Sequence, residues 1–215
     1  MPNRAVVTLK VIVFLACLVP LAWLVYGGFV NPELLGADPT ATITHTTGDW
    51  TIRFLLITLA ITPFRRLSPK LNWVIRFRRM IGLCAFFYGT LHLFTWIWLY
   101  SAFNTQNMLA DIAKRRFITV GMLGWALMIP LALTSTAWAI RKIGGKRWNT
   151  LHKLIYISAI CGVIHYWWLV KAGVKTPWTY TLILTALLLF RIIWRIGKSR
   201  SKPAPARIPV RAVPS

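Results

Sequence analysis

The stretch MIGLCAFFYGTLHLFTWIWLY, residues 80–100, decides the fold. It holds no Asp, Glu, Lys or Arg and is close to the roughly 20 apolar residues that a helix needs to cross the hydrocarbon core of a bilayer. Its end, with Trp96, Trp98 and Tyr100, is what a helix presents where hydrocarbon gives way to head groups. A single histidine, His92, interrupts it. Working outward, five further apolar stretches cover residues 11–30, 50–64, 117–140, 150–170 and 178–194. The second is short and closed by Pro63, and the fourth carries Pro130. No small-residue cleavage site follows the first, which therefore reads as a retained anchor.

The remainder of the chain agrees. Of its 215 residues 57% are hydrophobic and 14% charged, with a mean hydropathy of +0.59, against about 25% charged in soluble domains. Lys and Arg number 26 against 4 Asp and Glu, a formal +22. Such a balance suits nucleic acid or membrane, and repeated apolar runs exclude the nucleic-acid module. Cys17, Cys84 and Cys161 each lie inside an apolar run, outside any C-x-x-C pattern, and read as packing residues.

Cations fix the expected orientation. Arg65, Arg66, Lys70, Arg76, Arg78 and Arg79 separate spans two and three, and Arg141, Lys142, Lys146 and Arg147 separate spans four and five. Six more Lys and Arg follow span six, whereas the first outer loop holds Glu33, Asp38 and Asp49 and no cation. The expectation is an all-α bundle of six transmembrane helices, N-in and C-in. Residues 1–10 form a cytoplasmic N-terminus, 11–194 the membrane domain, and 195–215 a disordered basic tail near anionic head groups. There is no sign of an internal repeat.

Ionisable groups at membrane depth are costly and are functional hypotheses by default. His92 lies about 12 residues past the inner start of span three and His165 about 15 past that of span five, roughly 18 and 22 Å deep. Two imidazoles from separate helices at matching depth suit the axial positions of a b-type haem. Tyr88 and Trp96 share the helix face of His92; Gly162 precedes His165 by three residues, and Tyr166, Trp167 and Trp168 follow it. His152 sits near the inner edge of span five, about 19 Å below His165. It suits a second redox centre, but on an unbent helix it points about 140° away from His165, and the level position on span three is Arg79. Arg76, Arg78 and Arg79, near Lys146 and Arg147, read either as positive-inside charge or as forks for an anionic cofactor such as a flavin phosphate. His45 reads as an exposed residue of the acidic outer loop.

Several short stretches carry a family resemblance: 47–50 (TGDW), 62–65 (TPFR), 78–83 (RRMIGL), 88–92 (YGTLH), 124–125, 133–135 and 148–152 (WNTLH). In this order and spacing the chain resembles the MsrQ (YedZ) family, haem-binding membrane subunits of the bacterial periplasmic methionine sulfoxide reductase system. That family belongs to the ferric-reductase-like transmembrane group, with NADPH oxidases and STEAP metalloreductases. The resemblance implies electron transfer through haem b across the inner membrane. The donor would be a cytoplasmic flavin reductase or quinol, the acceptor a periplasmic molybdopterin-containing reductase. It implies haem iron on His92 and His165, with His152 serving a second haem or a flavin and Arg78 and Arg79 contacting FMN. One haem or two, and FMN or none, stay open at this point, because the four-histidine pattern of the oxidases is incomplete. A cytochrome b subunit of another dehydrogenase, a stand-alone metalloreductase, and a non-redox transporter or assembly factor are the alternatives.

Overall fold

The computed structural model describes residues 3–170 and 176–200. The tail 201–215, and Lys171 and Lys175 of the connection before the expected sixth span, lie outside the described residues. All regular structure among the described residues is helical: α1 (Asn3–Phe29), α2 (Pro39–Leu67), α3 (Arg78–Thr95), α4 (Thr105–Lys114), α5 (Arg116–Leu133), α6 (Ala137–Ile143), α7 (Gly145–Leu151), α8 (Leu154–Leu169) and α9 (Thr176–Arg200).

Four helical stretches are long and apolar enough to cross a membrane: Arg4–Phe29, Lys70–Tyr100, Arg116–Leu133 and Pro177–Gly197. These match expected spans one, three, four and six. The other two expected spans differ for separate reasons. Helix α2 has 29 residues, but its first half is Thr-rich and carries Asp49 and Arg53. Helix α8 has 16 residues, about 24 Å of rise. Both pack on more than one neighbour: α2 on α1, α3, α8 and α9, and α8 on α2, α5 and α9.

Several boundaries move for local reasons. Helix α2 begins at Pro39, where the Asp38 carboxylate accepts from the Ala41 N–H, so His45 and Asp49 lie on a helix and not in a loop. It runs through Pro63 to Leu67. Helix α5 ends at Leu133, just past Pro130, and the chain restarts as α6 at Ala137 with the Thr136 hydroxyl as cap. Helices α7 and α8 are interrupted at His152 and Lys153, so the expected fifth span is not one straight rod. The α3 helix continues from Trp96 to Tyr100 as a widened π turn, and α4, in the connection that follows, was not expected from the sequence. Helix α9 extends to Arg200, six residues into the stretch read as tail.

The core lies where α2, α3 and α8 meet, with Leu59, Ala85, Tyr88 and Ala159 fully enclosed. The three cysteines are buried and free. Phe14, Val19, Leu182 and Ile193 stand on the outside of α1 and α9, the surface that lipid would cover.

Candidate functional site

The tightest packing is pairwise: α2 against α3, and α5 against α8. Each pair presents one histidine to a cavity of about 240 Å³ between them. His92 on α3 and His165 on α8 face each other with ring centroids 5.9 Å apart and ring planes at 83°. In each ring Nδ1 lies against a backbone carbonyl of the companion helix, that of Thr44 at 3.0 Å for His92 and that of Phe117 at 2.7 Å for His165. A carbonyl can only accept, so Nδ1 carries the proton and donates. Nε2 is left as the lone-pair donor of each ring, the arrangement that outer-shell partners impose on metal-binding imidazoles.

The companion helix also makes room. A Cβ placed on Gly121 would sit 2.6 Å from His165 Nδ1, and one on Gly48 would sit 3.0 Å from His92 Cε1. A side chain at Gly121 displaces the ring, and one at Gly48 requires it to give by a few tenths of an ångström. The two half-sites repeat one another: both histidines reach back 48 residues for their carbonyl. Thr44, Gly48, Gly89 and His92 correspond, at a constant offset of 73, to Phe117, Gly121, Gly162 and His165. The internal duplication that the sequence hides is thus visible as two helix pairs offering the same carbonyl, glycine and imidazole. At that offset Arg79 corresponds to His152, so the likeness does not extend to the start of α3.

Among the described residues no group of three or more His, Cys, Asp or Glu is placed to hold a bare metal ion. Two imidazoles from separate helices, each with Nε2 left free by the carbonyl on its Nδ1, instead suit an iron whose remaining ligands come from a macrocycle. A separation near 6 Å between ring centres matches two metal–nitrogen bonds of about 2 Å on opposite sides of one ion.

His152 and the arginines are placed apart from this pair, and the aromatic neighbours divide. His152 lies outside the cavity, stacked on Trp148 at 3.8 Å between centroids, with Nδ1 3.1 Å from the Trp148 carbonyl. Arg78 is half-buried and close enough to His152, Tyr156 and Arg65 to interact with them electrostatically, whereas Arg79 and Arg76 are exposed. Arg78 and His92 share α3, roughly 21 Å apart along its axis. Tyr88 does not flank the cavity: its hydroxyl donates to the Cys17 carbonyl at 2.8 Å and accepts from the Leu21 N–H at 3.1 Å. Trp96 and Tyr166 line the cavity, and Trp168 is exposed.

Two arginines inside expected spans escaped the sequence reading. Arg53 pairs with Asp49 at 3.3 Å and donates through Nε to the Tyr180 hydroxyl. Arg191 donates to the Tyr156 hydroxyl at 2.8 Å and to the Leu59 carbonyl, while its buried Nε has no partner. With Arg66 and Arg78 within electrostatic reach, it completes a cationic cluster at the end where α2 finishes and α3 begins. The two ion pairs among the described residues lie elsewhere, at Arg53–Asp49 and Arg115–Asp111.

Comparison with known proteins bears on this arrangement. Residues 47–163 match the family model "Ferric reductase like transmembrane component". The "Protein-methionine-sulfoxide reductase heme-binding subunit MsrQ" of Herminiimonas arsenicoxydans is 48% identical over 197 residues, covering 90% of this chain and 88% of that protein. The proteins of the same name from Ralstonia nicotianae and Azospira oryzae are 42% and 44% identical, over 98% and 96% of this chain and 97% and 90% of their own lengths. The chain belongs to the MsrQ family. The ferric-reductase-like match includes His92 and His152 and stops two residues short of His165. The MsrQ relatives extend the likeness over almost the whole chain.

Proposed function

We propose that this protein is the haem-binding membrane subunit of a methionine sulfoxide reductase system, and that His92 and His165 are the axial ligands of a haem b. The observation that carries the reading is the pair of imidazoles facing each other at 5.9 Å, each with Nδ1 held by a carbonyl and its ring seated against a glycine. The names of the MsrQ relatives, as heme-binding subunits, support it. Haem bound there supplies a one-electron carrier. The chain's own contribution is to fix both rings before the macrocycle arrives and to surround it with apolar walls.

The polypeptide crosses the bacterial inner membrane six times, with both termini in the cytoplasm. Electrons pass from a cytoplasmic flavin reductase or quinol outward to a periplasmic molybdopterin-containing reductase. The cationic cluster of Arg66, Arg78 and Arg191 beside Tyr156 favours a flavin, FMN, as the inward relay. Guanidinium groups at that density without a carboxylate suit a phosphate, and half-buried cations are costly without a counter-ion. His152, capped by Trp148 at this end, serves the flavin side in preference to a second haem, since the corresponding position on the other pair is Arg79 and not a histidine.

The test is a reduced-minus-oxidised visible spectrum of the detergent-purified protein with pyridine-haem quantification. The expected result is one b-type haem per chain, lost in His92→Ala and in His165→Ala and retained in His152→Ala. A colourless protein refutes the haem reading. Full low-spin haem in His92→Ala refutes the ligand assignment.

A further inference from the structure

The cavity wall carries the duplication further than the ligands do, and breaks it in one respect. At the same offset of 73, the lining residues His45, Asp49 and Thr51 of α2 correspond to Ile118, Met122 and Gly124 of α5, which line the same cavity. The shape is repeated and the chemistry is not. One companion helix presents an imidazole, a carboxylate and a hydroxyl where the other presents apolar side chains or none. His45 is exposed, so water weakens its influence, and Asp49 is the difference that counts. It follows Gly48, against which the His92 ring is seated, and of the four Asp and Glu in the chain it alone lines the cavity. Its Oδ1 is buried and has no hydrogen-bond partner among the described residues, while its Oδ2 accepts from Arg53 at 3.3 Å. Arg53 is shared with other groups: its side chain is 42% exposed, its Nε donates to the Tyr180 hydroxyl at 3.1 Å, and its guanidinium lies 5.0 Å from the ring centre of Trp50. Arg115 also lines the cavity, but it is exposed and paired with Asp111 at 3.1 Å.

A carboxylate with one oxygen shielded from water and only partly neutralised acts on any charge that changes nearby, because little solvent lies between to weaken its field. In a haem the charge that changes is that of the iron, which gains one electron on reduction and gives it up on oxidation. A negative neighbour favours the ferric state. We propose that Asp49, braced by Arg53, sets the reduction potential of the haem and holds it low, so that the ferrous form is a stronger donor to its acceptor. Met122, at the related position, carries no charge, so the field arises from the α2 wall alone. The proposal rests on the haem reading above, and it adds two residues that act through their charge and not as ligands of the iron.

The test is a potentiometric titration of the full-length, haem-loaded protein in detergent, followed in the visible spectrum. Asp49→Asn is expected to raise the midpoint, so that at the wild-type midpoint the ferrous-to-ferric ratio increases about tenfold, a shift of about 59 mV for one electron. Arg53→Gln, which leaves the carboxylate uncompensated, lowers the midpoint, and Arg53→Lys stays close to wild type. Met122→Leu, neutral for neutral at the related position, leaves it unchanged. The low-spin spectrum persists in each variant, which separates a change of field from the loss of a ligand. An Asp49→Asn midpoint equal to or below that of wild type overturns the proposal, as does a Met122→Leu shift of the same size and sense, which would trace the effect to packing. Should Asp49→Asn not retain haem, Arg53→Gln decides, and an unchanged or raised midpoint there overturns the proposal. Wild type without haem overturns the haem reading itself, whereas haem with unmoved midpoints overturns only the role of Asp49.

Discussion

At the residue scale the site depends as much on missing atoms as on present ones. His92 and His165 were legible because an ionisable group inside an apolar run is costly and conspicuous. Their supports were not, because a backbone carbonyl has no residue type and the signal of a glycine is an absence. Gly48 stands inside a stretch, TGDW, that the resemblance singles out, whereas nothing in the sequence marks Gly121 until His165 is seen 2.6 Å from its would-be Cβ. Gly121→Ala is therefore expected to displace the His165 ring at an overpacking cost of about 1–3 kcal/mol, weakening haem binding roughly ten- to hundredfold. Gly145→Ala, where a Cβ meets nothing within 4 Å, is the control and should leave haem binding unchanged. Haem titration of the two variants measures the difference; equal retention would show that the ring has room to move.

At the scale of elements, apolar run length located the long helices well and their ends poorly. Pro63 closes the expected second span, yet α2 passes through it, and Pro130 lies within the expected fourth, yet α5 ends one turn later. Tertiary packing decides such cases and composition does not. The interruption at His152–Lys153 removes the premise of a straight fifth span, so the expected 140° between His152 and His165 has no structural counterpart. Tyr88 illustrates the same limit. Helical spacing put it on the face of His92, but its hydroxyl bridges the Leu21 N–H and the Cys17 carbonyl, two groups that an i→i−4 bond of α1 would otherwise pair, next to Pro20. Tyr88→Phe leaves both groups buried without that partner, at about 1–3 kcal/mol. A thermal melt in detergent should show the midpoint falling by several degrees with the haem spectrum intact. Loss of haem with no change in the midpoint would place Tyr88 in the cofactor site instead.

At the scale of the whole molecule, charge and symmetry divide the labour. Cations gather at the end where α2 finishes and α3 begins, while the carboxylates of Asp49 and Asp111 each sit beside an arginine toward the other end. The cluster of Arg66, Arg78 and Arg191 stands at that cation-rich end. Reporter fusions or cysteine labelling at Lys70 and Lys146 should report the cytoplasm, and at Asp38 and Gln106 the periplasm; any reversal between these pairs would break the six-span arrangement. The duplication of helix pairs escaped sequence inspection because it survives at a handful of positions, the clearest being the G-x-x-H at 89–92 and 162–165. Two α-helical hairpins that share so little sequence nevertheless bring equivalent imidazoles to one point.

The electron paramagnetic resonance spectrum of the oxidised protein reports on that convergence. Bis-imidazole iron is low-spin, and its anisotropy reports the angle between the two ring planes. With His92 and His165 at 83°, the expected result is a highly anisotropic low-spin ferric signal with a large maximum g value, abolished in His165→Ala. A high-spin signal, or the rhombic low-spin signal of parallel imidazoles, would contradict it.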